Sequence, residues 1–318
     1  MTTAELLNVE IPRDRFGRPM IMPPGRSKKR LPYRRTTTFV GCMDDMNGLM
    51  KWQARQVALG MGQRNDLVLA AAAANPDDKK TLHDIAEKAK EAAKSSAAAD
   101  IGTALHSFTE RIDRGQPLGH VPQEYQADLD AYRQATEQIE WLGIETFRVH
   151  DEWQIAGTAD RIGRFPWSPR PQIFDIKTGG IDYPHKMAMQ LAMYARMTPY
   201  DIPTDTRTAD PEPLDLNYGV IIHLPASQGR CDLYEIDIAK GWGACLIARQ
   251  VWSWRGTREL TKLVTPEPPK PMATWESHIA NARNLDDLRL IWAQAKECGQ
   301  LTPDVKALAK ARSEELAA

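Results

Sequence analysis

The 318-residue chain has no apolar run approaching the roughly eighteen consecutive residues that span a bilayer. Its first residues lack the charged-then-apolar pattern of a secretory leader, so a cytoplasmic protein with no membrane partner is expected. Cysteine is scarce. Cys42, Cys231, Cys245 and Cys298 form no Cys-x-x-Cys pair and stand too far apart for the tight ligand spacing of an iron-sulfur cluster. Free thiols and no cluster are the expectation. Net charge is nearly absent too, at −1 from 41 basic and 42 acidic residues, so no overall field steers the protein toward nucleic acid. The hydrophobic fraction of 42% is enough for a core, and the length suggests one large domain with an appendage.

What charge there is lies unevenly. Between Arg13 and Arg35 there are nine basic residues against the single acid Asp14, interspersed with Pro19, Pro23, Pro24, Gly25 and Pro32. Residues 1–35 read as an extended basic arm rather than a packed element. Such an arm suits DNA-backbone contact with a steep salt dependence, and before Arg26 a solvated tail is favoured.

The most informative stretch runs from Gly157 to Tyr194. Asp175 and Lys177 close the apolar run Ile173-Phe174-Asp175-Ile176. Residues two apart on a strand share a face, so a carboxylate and an ammonium stand side by side where core meets cleft. Asp160 lies on an earlier segment, 153–162, and Pro166, Pro169 and Pro171 break the chain between the two, giving strand, turn and neighbouring strand. Two carboxylates on adjacent strands can share one hard cation, with Mg2+ completing its shell from water and substrate phosphate. Lys177 beside that ion would orient the nucleophile or favour its deprotonated form. After Tyr183-Pro184 a helix places Gln190 and Tyr194 four apart on one face, able to point at a nucleic-acid strand or at the Lys177 amine.

Upstream, 101–110 reads as a helix with Leu105 and Phe108 toward the core and His106 and Glu110 on a common face. An imidazole from a packed helix is a candidate third ligand and tilts the preference toward Mn2+. Taken singly, each feature has an ordinary explanation: Asp-x-Lys as a surface ion pair, a helical histidine as a core residue, Gly-Thr-x-Asp as a turn. Together, in this order, they point to metal-dependent phosphodiester cleavage. Glu110 and Glu152 read equally well as outer carboxylates and as solvated acids.

Gly-x-x-x-His, Gly-Thr-x-Asp, Asp-x-Lys and Gln-x-x-x-Tyr in succession resemble the RecB-type branch of the PD-(D/E)XK nuclease superfamily, over roughly residues 36–256. The segment from Arg35 to Gly41, with Leu49-Met50-Lys51-Trp52, resembles the start of phage-encoded members. The cysteine spacing departs from the cluster-bearing branches. The resemblance implies a restriction-endonuclease-like α/β fold, a mixed central sheet flanked by helices. It implies His106, Asp160, Asp175 and the Ile176 carbonyl as metal ligands for Mg2+ or Mn2+, and Lys177 as catalytic. Gln190 and Tyr194 would brace the site or contact DNA, joined by Arg34, Arg35, Trp52, Arg55 and Thr178. The implied activity is exonucleolytic resection of linear DNA ends for recombination, in a bacterial host cytosol if phage-encoded. A single-strand annealing protein and a second copy of the chain are candidate partners. An endonuclease of the same superfamily and a catalytically silent end-binding protein are the alternatives.

The remaining chain reads as Ala-rich helices over 66–114, broken at Asn75-Pro76, which would wall a DNA channel. Leu129, Tyr132, Ile139 and Leu142 suggest a helix before a strand starting near Thr146, and 199–213 reads as a long loop. Strands are expected at 217–224 and 230–238 and a helix at 241–256, closing a nuclease domain over 36–260. A Pro-rich linker, 261–271, then leads to a helical module over 272–318.

Overall fold

The fold is that of a computed structural model, which describes residues 10–25, 29–94, 97–258, 260–261 and 273–317. The chain divides into two compact units, Met1–Thr257 and Arg258–Ala318.

The first unit opens with a small antiparallel pair, β1 (Met20–Ile21) and β2 (Leu31–Pro32), then β3 (Arg34–Arg35) and α1 (Thr36–Val40). A helical insertion follows, made of α2 (Asn47–Gln63), α3 (Asn65–Ala73) and α4 (Lys79–Ala92). Helices α5 (Ala97–Asp113) and α6 (Gln126–Thr136) lead into β4 (Glu140–His150), β5 (Ile155–Arg164) and β6 (Gln172–Lys177). After α7 (His185–Ala195) come β7 (Thr198–Asp201), β8 (Thr206–Arg207), β9 (Tyr218–His223), β10 (Asp232–Asp237) and α8 (Ile238–Arg255).

The strands of the main sheet run in the order β10-β9-β6-β5-β4-β7-β8, with β3 alongside β5. Pairing is parallel between β6 and β9 and between β3 and β5, and antiparallel elsewhere, so the sheet is mixed. β6 and β9 are almost continuously buried because both faces are covered. On one face Ile173 and Ile221 pack with Met189 and Ala192 of α7 and Cys245 and Ala248 of α8. On the other, Phe174, Ile176, Val220 and Ile222 pack with Leu105 of α5 and Leu129 and Tyr132 of α6. The architecture is mixed α/β with helices on both faces.

Three expectations are corrected. The described residues of the basic segment, 13–25 and 29–35, are packed rather than an extended arm: Ile21 and Tyr33 are buried, β1 pairs with β2, and Arg34 and Arg35 add to the main sheet. Arg30 finds the distant acid Asp205 at 2.9 Å, and Tyr33 donates to Asp151, itself held by Arg207. Counting charges along the chain could not show those partners. The α6 helix ends at Thr136, and β4 begins at Glu140 rather than near Thr146, because Trp141 packs edge-on against Phe174. The 199–213 segment carries β7 and β8 and is pinned by the buried Arg148, which bonds both oxygens of Asp210 and the carbonyls of Tyr194 and Met197.

The expected spacer at Pro266–Pro271 lies outside the described residues. The second unit holds α9 (Trp275–Ala280), α10 (Leu285–Glu297) and α11 (Pro303–Ala317) around Ile279, Leu288 and Val305. Among the described residues no helix is long and apolar enough to cross a membrane.

Candidate active site

The site forms where β5 and β6 part. Their ladder runs through Gly163–Gln172, Ile162–Ile173 and Arg161–Phe174 and then stops. A strand residue left beyond the last rung has backbone groups to satisfy, and in Ile176 both are taken by side chains. Asp160 Oδ2 accepts from the Ile176 N–H at 2.9 Å, and His106 Nε2 donates to the Ile176 carbonyl at 2.9 Å. A carbonyl only accepts, so Nε2 carries the ring proton. Helix α5 comes this close because residue 102 is glycine. A Cβ there would lie 2.8 Å from Thr178 Oγ1, and His106 follows one turn later on the same face.

On the opposite face of the sheet, Asp175 is 2% exposed, with Lys177 Nζ paired to its Oδ2 and Gln190 Nε2 donating to its Oδ1 at 3.2 Å. Gln190 also reaches Tyr194 Oη at 3.4 Å. Burial holds the Tyr194 phenol well above its ordinary value, and the Asp160 and Asp175 charges add to this, so it stays protonated. Gly157 lies within β5, not in a turn. A Cβ there would meet Thr36 Oγ1 at 2.7 Å and the Tyr194 ring at 2.9 Å. The glycine lets the tyrosine lie against the strand that carries Asp160.

Burial pushes the Asp175 carboxyl up and the Asp160 charge pushes it further, against Lys177. Burial likewise holds the His106 imidazole below its usual range, against the pull of Asp160. In the neutral ring Nδ1 is a lone pair, and it stands 3.7 Å from Asp160 Oδ2. Two acceptors facing each other form an arrangement that a cation between them relieves. The donors suit a divalent ion: carboxylate oxygens for Mg2+, with an imidazole nitrogen favouring Mn2+. Among the described residues no group of three or more His, Cys, Asp and Glu side chains could hold a metal by itself. Ligation would therefore also draw on the second lone pair of the Ile176 carbonyl and on water or phosphate oxygens.

Four functional neighbours carry no local sequence signal. Arg161, fully buried, donates from Nε to Asp113 Oδ2 at 2.5 Å and from Nη1 to Glu145 Oε1 at 3.0 Å and to the Asp160 carbonyl at 2.7 Å. Tyr132 Oη donates to the same Asp113 oxygen at 2.7 Å. This network clamps the β5 backbone at Asp160. Glu145, on the facing strand, adopts the left-handed φ of 50° that a non-glycine rarely takes. Burial and the Asp160 charge push its carboxyl up to about 7 despite Arg161. A fifth, His223, is in register with Lys177 on β9, and its Nε2 lies 3.1 Å from the Gly179 carbonyl, holding the loop after Lys177.

A cavity of about 480 Å3 opens beside this constellation, lined by Gly102, Thr103, His106, Lys177 and Thr178 among others. The structure thus brings His106, Asp160, Asp175, Ile176, Lys177, Thr178, Gln190 and Tyr194 together. Glu110 is taken by Arg114 at 2.9 Å, and the exposed Glu152 pairs with Arg249 at 2.8 Å. Arg34 lies over the Trp252 ring at 3.8 Å, Arg35 is exposed at the start of α1, and Trp52 and Arg55 sit on the open surface of α2. Comparison with known families and with curated proteins finds no match for this chain.

Proposed function

We propose that the protein is a metal-dependent deoxyribonuclease of the RecB-type PD-(D/E)XK branch, with the restriction-endonuclease-like fold, degrading linear DNA from its ends. The observation that carries this reading is the meeting of Asp160, Asp175, Lys177 and His106 around the single residue Ile176, from two strands and a helix. Asp160, Asp175, His106 and the Ile176 carbonyl are the residues that would hold Mg2+ or Mn2+. The chemistry such an ion supplies is charge neutralisation at the phosphate and a more acidic water.

The chain's own residues do the rest. Lys177 sets a positive charge beside Asp175 at the cleft, where it stabilises negative charge as water attacks phosphorus. Gln190 fixes the Asp175 carboxylate through Oδ1 and leaves Oδ2 directed at Lys177. Tyr194, kept protonated, can donate but not take up a proton. Thr178 and the α5 face from Gly102 to His106 wall the approach. In this reading the product strands feed homologous recombination beside a single-strand annealing protein.

The test is Lys177→Ala. DNA binding should persist while turnover falls about 100-fold or more. Turnover within a factor of a few of wild type would remove Lys177 from the mechanism. Cutting of closed circles with no preference for ends would replace the exonuclease with an endonuclease.

A further inference from the structure

Helix α2 packs on α4 only through its C-terminal half, where Val57 and Met61 are half-buried against Ile85 and Ala89, and its N-terminal half, 47–55, is exposed. Of its seventeen residues only Gly60 is buried, where the helix closes on Ala89 of α4 so tightly that a Cβ would lie 1.7 Å from the Ala89 carbonyl oxygen. Leu49, Met50, Trp52 and Leu59 are exposed large apolar side chains. Lys51 and Arg55, four apart, share one face, Trp52 adjoins it three residues before Arg55, and no acidic residue occurs between Met46 and Asn65. Arg64, at the far end, is taken by Asp66 at 2.6 Å. An exposed helix half that carries an aromatic beside two cations is suited to meet something negative and flat.

Its root stands at the cleft. Asp44, just before α2, pairs with Lys186 Nζ at 2.5 Å. Lys186 lies four residues before Gln190 on α7, so it shares the face that holds Asp175. After α4 the chain re-enters through α5, whose Gly102 touches Thr178. The insertion therefore leaves the unit beside α7 and rejoins it at α5, the helix that lines the cavity with Lys177 and Thr178.

We infer that the Lys51–Trp52–Arg55 face of α2 binds an unpaired DNA strand beside the cleft. This rests on the nuclease reading. An exposed indole offers a face on which a base stacks, and only an unpaired base has a face free, because duplex bases already cover one another. Two cations one helical turn apart meet neighbouring phosphates. Met43, Met46 and Met50 are exposed close by and adapt to any base, which suits binding without sequence preference. The inference makes the insertion a grip on the single-stranded part of the substrate.

The experiment measures binding of a fluorescent oligo(dT) and of a duplex of equal length in EDTA, so that turnover does not enter. Wild type is compared with Trp52→Ala, Trp52→Tyr and Lys51→Ala/Arg55→Ala. Trp52→Ala should weaken oligo(dT) binding about tenfold and leave the duplex unchanged, with Trp52→Tyr restoring most of the affinity. The double substitution should lower the slope of log affinity against log salt by about 0.7 for each cation removed. All three positions are exposed, so far-ultraviolet circular dichroism should match wild type. Equal losses on both DNAs, or none, overturn the inference. Loss of self-association in Trp52→Ala with oligo(dT) binding intact also overturns it, and gives the face to protein contact. Absence of cleavage by the wild-type protein under any metal, in the comparison below, would sink the nuclease reading without touching this binding result.

Discussion

The Arg161–Asp113 pair offers the sharpest way to separate what holds the fold from what serves the site. Arg161 is 0% and Asp113 1% exposed at the side chain, so Asp113→Asn leaves a buried guanidinium with only the partly exposed Glu145, 3.0 Å away, as counter-charge. Breaking one side of a buried pair costs about 3–5 kcal/mol, and asparagine, which still accepts from Tyr132 and Arg161, should bring the loss to the lower end, about 3 kcal/mol. Native domains hold about 5–15 kcal/mol in all, so this is a large fraction. Followed by urea unfolding, with an m-value near the upper end of about 1–3 kcal/mol/M, the midpoint should fall by about 1 M. Replacing both partners, Asp113→Leu with Arg161→Met, should recover part of the stability, because an apolar pair needs no compensation. It should not recover Mn2+ affinity, read by calorimetry, because the Asp160 carbonyl loses the Nη1 donor that fixes it. A loss under about 1 kcal/mol in the single variant, or Mn2+ affinity restored in the double, would refute this division of roles.

Gly157→Ala should cost about 1–3 kcal/mol through overpacking and lower turnover together, since its Cβ would push Tyr194 off β5; a neutral effect on thermal denaturation would show the ring is free to move. Ile21→Ala should destabilise by about 2–4 kcal/mol in chemical denaturation, which a solvated arm could not do. His150 accepts the Trp153 N–H on Nδ1 at 3.3 Å, and burial holds its imidazole below the ordinary value. The unfolded chain therefore takes up the proton first, so stability falls as pH drops below about 6.5, by at most about 1.4 kcal/mol per pH unit. His150→Gln should flatten that slope in metal-free buffer, and an unchanged slope would exclude His150 as its source.

The parts of the site that were legible in the sequence are those set by local geometry. Asp175 and Lys177 share a face because strands alternate, and Gln190 and Tyr194 share one because helices repeat every 3.6 residues. The glycine four before His106 has a steric reason visible only once Thr178 is placed against it. What the sequence could not show is long-range compensation. Arg161 reaches Asp113 across 48 positions, and Arg148 reaches Asp210 across 62, with no periodicity to betray either pair. The segment around Ile21 looked like an arm because nine basic residues outweigh two buried anchors in any local count. Ile139 and Leu142 fit a helical spacing, yet the strand register with Gly163 and Arg164 decided that segment.

The most direct measurement is cleavage of end-labelled linear duplex, linear single strand and covalently closed circle, each with Mg2+, Mn2+ or EDTA, by wild type and Asp175→Ala. Metal-dependent loss of the linear substrates, absent in EDTA and abolished by the substitution, is the expected result. Tight binding to ends with no cleavage of any substrate under any metal would contradict the nuclease and leave a DNA-end-binding protein in its place.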